Sequence, residues 1–142
     1  MKMNVKFTPF IMLDGQANEA IRFYEQALGA KVVFKQTFGE TPEAADASMT
    51  EEAKNRIAHS VLIVGGSELF VSDSEPHLRL ERGDQVNICI TVKEAAEAER
   101  LYDALRSDGK VLSPLQSLYF SPAYGMVTDR FGATFQIFTE RS

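Results

Sequence analysis

GMVTDRFGATFQIFTE, Gly125 to Glu140, decides the fold: it reads as a short strand, a turn at Asp129 to Gly132, and a strand whose side chains alternate between two faces. Two apolar or β-branched runs joined by a glycine-containing turn make a β-hairpin. IAHSVLIVGGSELFVSD, Ile57 to Asp73, has the same design. Each hairpin follows a helical pattern, so the chain reads as a duplicated unit.

Upstream of the hairpins, Val5 to Leu13 reads as a first strand, with Pro9 marking an edge or a bulge. Ala17 to Leu28 spaces Ala20, Phe23, Tyr24, Ala27 and Leu28 three and four residues apart, a helical stripe closed by Gly29. Lys31 to Phe38 is a strand. Gly39 to Asn55 is small, acidic and turn-rich, which reads as a mobile flap or a short surface helix. Ser74 to Asp84 is a polar connector between halves. Val86 to Val92 is then a buried strand and Lys93 to Asp108 a helix, with Gly109 where a left-handed residue is wanted and Lys110 to Leu112 as a further strand. FYEQALGAKVV (Phe23 to Val33) and LYDALRSDGKVL (Leu101 to Leu112) put like residues at like stations. The reading is a single α+β domain of two βαβββ modules, about 1–73 and 85–142. Each module leaves an open sheet that pairing with the other would close.

Composition sets the outer bounds. A chain of 142 residues buries roughly two-thirds of its unfolded surface in one core. No apolar run approaches the ~20 residues of a membrane span, and the opening MKMNVKFTPF lacks a signal-peptide pattern, so the expected location is cytoplasmic. The single cysteine, Cys89, excludes an internal disulfide and a multi-cysteine metal site. A net charge of −5 without a Lys/Arg cluster argues against nucleic acid as a partner.

PFIMLDGQANEAIRFYEQALGAKVVF, HSVLIVGGSELFVSD, VNICITVKEAAEAERLYDAL and YGMVTDRFGATFQIF, taken in order, resemble the PhnB-like branch of the vicinal-oxygen-chelate superfamily, which also holds glyoxalase I, bleomycin- and fosfomycin-resistance proteins and extradiol dioxygenases. The resemblance implies a cupped, open mixed sheet with helices on its convex face, and a homodimer. Members of this branch often carry a ubiquinone-pathway methyltransferase label. This chain has no Gly-rich nucleotide loop after a parallel strand and is short for such a fold, so methyl transfer is not expected.

Enzymes of the superfamily hold a divalent metal with His and Glu on inward-facing strand positions. By resemblance those stations fall here on Pro9, Asn87 and Gln136. A side chain with no donor and two neutral amides make a poor set for a divalent ion, so no metal or other cofactor is expected.

His59 is the one strong candidate for chemistry. It is placed on a strand face with Ile57, Val61 and Ile63, and three roles are open to it: a cup-wall residue satisfied by one hydrogen bond, a ligand contact, or a general base. Tyr119, Phe120 and Tyr124 read as a loop that either closes over a cavity or covers apolar surface. His77, after Glu75 and Pro76, reads as a solvated loop residue. Arg130 stands in the last turn where the family usually has proline, at some loss of turn rigidity.

Strand parity puts Phe7, Ile11, Cys89, Thr91, Thr134 and Phe138 with Pro9, Asn87 and Gln136 inside the cup. Phe10, Met12, Ile88, Ile90, Val92, Phe135 and Ile137 then face the helices. His59, Asn87, Gln136, Tyr124, Phe7 and Phe138 are the candidate ligand-binding residues. A cup lined by neutral amides and aromatics suits an unidentified, partly apolar small molecule held by hydrogen bonds. The alternative is a metal-dependent lyase, isomerase or dioxygenase using His59.

Overall fold

Gly65 and Gly66 turn the chain between β-branched runs, and Asp129 to Gly132 does the same later, so each hairpin forms where alternation and turn residues coincide. The computed structural model describes residues 6–42, 49–75 and 79–141, and the chain divides into two compact units, residues 1–80 and 81–142. The division falls inside the polar connector read from the sequence. The connector's first residue is not on the surface: Ser74 is buried, and its carbonyl accepts from Arg56 at 2.9 Å.

The first unit runs β1 (Phe10–Leu13), α1 (Ala17–Leu28), β2 (Lys31–Thr37), a 3-10 turn (Phe38–Glu40), α2 (Glu51–Asn55), β3 (Ile57–Val64) and β4 (Ser67–Asp73). Its sheet has the order β1-β4-β3-β2, with β1 parallel to β4 and the other pairs antiparallel. α1 buries Ala17, Ala20, Ile21, Tyr24 and Ala27 against β2, β3 and β4, and Gly29 caps it at φ +64°. Of the segment read as flap or surface helix, Phe38–Glu40 is a 3-10 turn and Glu51–Asn55 a short helix capped by Thr50, while residues 43–48 lie outside the described residues.

The buried Asp73 carboxylate ties the first unit together. It accepts backbone N–H groups from Gly15 (2.7 Å), Ala17 (3.0 Å) and Ile57 (2.9 Å), joining the end of β4 to the start of α1 and the start of β3.

The second unit runs β5 (Ile88–Val92), α3 (Ala95–Leu105), β6 (Lys110–Leu118), β7 (Ser121–Thr128) and β8 (Thr134–Thr139), in the sheet order β5-β8-β7-β6. Again the first strand is parallel to the last and the remaining pairs are antiparallel. α3 packs Ala98, Leu101 and Leu105 on β5, β7 and β8, above the buried Val127, Phe135 and Ile137.

Four boundaries differ from the sequence reading. β1 is only four residues long. β5 starts at Ile88, leaving Val86 exposed, because Val86 gains no ladder partner. β6 runs on to Leu118 across Pro114, which an edge strand tolerates. The left-handed residue after α3 is Asp108, at φ +56°, and not Gly109. Gly109 is needed for closeness: a Cβ there would stand 2.2 Å from the Thr128 carbonyl oxygen.

Arg130 is no loose substitute for proline in the β7–β8 turn. Its guanidinium reaches Ser107 Oγ (3.2 Å) and Asp108 (3.6 Å), and Asp129 Oδ1 accepts from the Phe131 and Ala133 N–H groups, both at 3.0 Å.

Candidate functional site

In the first unit the sheet face away from α1 is aromatic. Phe10 pairs with Phe70 across β1 and β4, Phe70 with Val61 of β3, and Val61 with Phe34 of β2. His59, two residues before Val61, places its ring 5.0 Å from Phe70, 6.0 Å from Phe34 and 6.3 Å from Phe10. Its contacts are to rings, and no described residue hydrogen-bonds its imidazole. Nor does it share its face with Ile57, as parity had suggested. A register shift between Gln36 and Thr37 re-aims the strand, and Ile57 is fully buried while His59 is half-buried.

In the second unit the face away from α3 is polar. The Tyr124 hydroxyl donates to Gln136 Oε1 at 2.6 Å, Gln136 Nε2 donates to Asn87 Oδ1 at 2.7 Å, and Asn87 Nδ2 donates to the Asp84 carbonyl at 3.4 Å. Phe120 stands beside this chain, 5.0 Å from the Tyr124 ring and stacked with Phe138 at 6.3 Å and 4° between planes. Burial raises the Tyr124 pKa above its ordinary 10.0, and negative charge at the neighbouring Cys89 pushes the same way. The phenol is therefore protonated at neutral pH.

The two parallel ladders end alike. Ser74 N–H donates to Leu13 O at 2.7 Å, and Glu140 N–H donates to Val92 O at 2.9 Å. Counting back from these ends aligns Phe10 with Cys89 and Phe70 with Gln136. The hairpin registers, Val61 with Phe70 and Met126 with Gln136, then align His59 with Tyr124. Equivalent stations thus carry an imidazole against a phenyl ring in one unit and a phenol against an amide in the other.

Thr8, rather than Pro9, corresponds to Asn87, and across the parallel pairs the central stations hold Phe70 in the first unit and Gln136 in the second. Hydroxyl and amide groups without a carboxylate or imidazole are not a donor set for Zn, Mn, Ni or Fe. Among the described residues no group of three or more His, Cys, Asp or Glu is placed to hold an ion. The residues present do not fit the superfamily's metal.

Four of the six candidate ligand residues come together: Asn87, Gln136, Tyr124 and Phe138, on one face of the second unit. Tyr124 lies in β7, not in a loop, and Tyr119 and Phe120 form the two-residue β6–β7 turn. His59 belongs to the aromatic row of the first unit. Phe7 is 97% exposed and precedes β1, so strand parity does not govern it. Parity was inverted in β1: Ile11 is buried on the α1 side with Leu13, while Phe10 and Met12 are exposed on the other. In β8 it held, with Phe135 and Ile137 buried. Sequence reasoning passed over Phe34 and Phe70 as partners of His59, although their positions in KVVFKQT and SELFVSD carry the alternation that places them. His77 lies outside the described residues.

A family model described as 3-demethylubiquinone-9 3-methyltransferase matches residues 5–138. The crystal structure of protein PA1353 from Pseudomonas aeruginosa is 32% identical, with a TM-score of 0.86 over 98% of this chain and 100% of that one. Protein YjdN of Escherichia coli K12 is 27% identical over 136 residues, 92% of each chain. A PhnB protein from Bacillus cereus is 24% identical, with a TM-score of 0.78 over 95% of this chain and 99% of that one. Fosfomycin-resistance structures share the fold. Two βαβββ modules, the match along residues 5–138 and these relatives lead to one assignment: the chain belongs to the PhnB-like branch of the vicinal-oxygen-chelate superfamily, the family whose model bears the 3-demethylubiquinone-9 3-methyltransferase description.

Proposed function

We propose that the protein is a metal-independent, small-molecule-binding member of its family, a cytoplasmic homodimer that holds its ligand on the α3-free face of the second unit. The observation that carries this reading is the Tyr124–Gln136–Asn87 chain: two of the stations that the resemblance assigns to metal ligands, Asn87 and Gln136, hold neutral amides bonded to one another and to Tyr124. Such groups orient a ligand by hydrogen bonds and supply neither a strong base nor a Lewis acid. Methyl transfer finds no support in the turns that follow the parallel strands: Asp14-Gly15-Gln16 and Lys93-Glu94 are not Gly-rich phosphate loops. Dimerisation is supported by the two edge strands of each sheet and by exposed apolar residues such as Val33 and Phe34 on β2. Light scattering is expected to give twice 15.8 kDa.

Metal analysis of protein purified without chelator, paired with melting in EDTA, tests the central claim. The expected result is no stoichiometric Zn, Ni, Mn or Fe and an unchanged melting temperature, since an ion bound only to the folded state would add stability by mass action. A melting temperature that falls on chelation, returns with one equivalent of metal, and no longer responds in His59→Ala would put the metal-dependent enzyme ahead.

A further inference from the structure

The polar chain of the second unit has a direction, and the direction leaves a defined set of groups unused. The Asp84 carbonyl can only accept, so Asn87 turns its Nδ2 toward it. Asn87 Oδ1 is then left for Gln136 Nε2, and Gln136 Oε1 for the Tyr124 hydroxyl. The phenol proton is thereby committed, and both amide oxygens are engaged. Each amide nitrogen retains one N–H, and the phenol oxygen retains its lone pairs. The half-buried face therefore offers N–H donors beside an oxygen acceptor, next to the parallel rings of Phe120 and Phe138.

Around Tyr124, Gln136 and Asn87 the described strand positions are uncharged; Lys110, paired with Thr128, stands at the far end of β6 and β7, and Arg141 donates to the Leu118 and Tyr119 carbonyls at the β6–β7 turn. β5 contributes Cys89 and Thr91, and β7 contributes Met126 beside Tyr124. A carboxylate or phosphate drawn out of water against Tyr124, Gln136 and Asn87 would meet no cation among them, and an ammonium would face their N–H groups, so either ion is penalised there.

Resting on the binding reading above, we propose that this face recognises the amide edge of a flat, uncharged molecule: an adjacent carbonyl oxygen and N–H, as a carboxamide, lactam or imide presents. The carbonyl accepts from the free N–H groups of Gln136 and Asn87. The ligand N–H donates to Tyr124 Oη, and the ring system lies against Phe120 and Phe138.

The test titrates the full-length, nitrogen-15-labelled chain with naphthalene carboxamide, naphthoate and naphthalene, following the side-chain amide signals of Asn87 and Gln136. The carboxamide is expected to shift both signals and to bind about tenfold more tightly than the other two, the difference made by one well-placed polar contact. Gln136→Glu replaces the N–H donor with a second acceptor and should erase the preference. Tyr124→Phe removes the acceptor and should weaken the carboxamide while leaving naphthalene binding unchanged. Equal affinity for carboxamide and naphthoate, or a preference untouched in a folded variant, overturns the amide-edge inference and leaves the binding reading standing. If none of the three probes moves either signal, both fall.

Discussion

The two units repeat one topology and diverge on one face. Against the helices they are alike, with Leu62, Leu69 and Val71 buried in the first and Val127, Phe135 and Ile137 in the second. On the opposite faces the stations that hold His59 and Phe70 in one unit hold Tyr124 and Gln136 in the other. Packing fixes the buried face within narrow limits of volume, whereas the free face changes its chemistry without unfolding the sheet. The strand ends diverge too. Where β4 ends in Asp73 with three backbone donors, β8 ends in Thr139, whose buried Oγ1 has no partner among the described residues.

That contrast breaks most visibly at Asp73. Asp73→Ala strands the N–H groups of Gly15, Ala17 and Ile57, and hydrogen bonds to a charged acceptor are among the stronger ones, so a loss of about 3 kcal/mol is expected. Urea unfolding at unchanged slope measures it. A loss under about 1 kcal/mol, the worth of a single ordinary hydrogen bond, would mean that water replaces the carboxylate and that Asp73 is no hub.

His59 sharpens the comparison of the faces. With ring contacts and no hydrogen bond from a described residue, His59→Ala should cost about 1 to 2 kcal/mol through lost packing alone. His59→Phe should cost nothing measurable, because a fourth phenyl ring suits the row of Phe10, Phe34 and Phe70. A His59→Phe variant as unstable as His59→Ala would reveal a polar partner for the imidazole.

These cases show what was legible in the chain. Period-two alternation with glycine turns located both hairpins, and the three-and-four spacing of Ala17 to Leu28 located α1 to the residue. Asn87, Gln136, Tyr124 and Phe138 were legible as candidates because β5 and β8 keep regular alternation. Parity failed in the first unit for local reasons: β1 begins only at Phe10, and a bulge opposite His59 turns Ile57 inward. The role of Asp73 was invisible, since a carboxylate at a strand end shows its value only when the chain brings Gly15, Ala17 and Ile57 back to it.

Thr139 offers a smaller effect of opposite sign. Thr139→Val keeps the shape and removes a hydroxyl that is buried without a partner among the described residues, so stability should rise by about 0.5 to 1 kcal/mol. Ser121, whose hydroxyl already bonds the Thr139 backbone N–H (3.1 Å) and carbonyl (2.7 Å), should hold the strand end as before. A loss of similar size would show that the Thr139 hydroxyl is satisfied in solution.

The smallest effect appears only at alkaline pH and separates the faces by titration. Tyr124 has its pKa raised above 10.0 in the folded chain, first by burial and then by Cys89, so the folded state keeps a proton that the unfolded state releases. Between the unfolded and folded values the folded state binds more protons, and stability falls as pH rises. The contribution is fully present below the unfolded value and is lost as pH climbs through the folded one. Tyr124→Phe lacks this proton and should show a shallower alkaline fall than the wild-type chain, with no difference in slope near neutrality. His59→Phe, which alters the equivalent station of the other unit, should leave the alkaline slope as it was. Parallel alkaline curves for wild type and Tyr124→Phe would show that the phenol ionises as freely as in the unfolded chain.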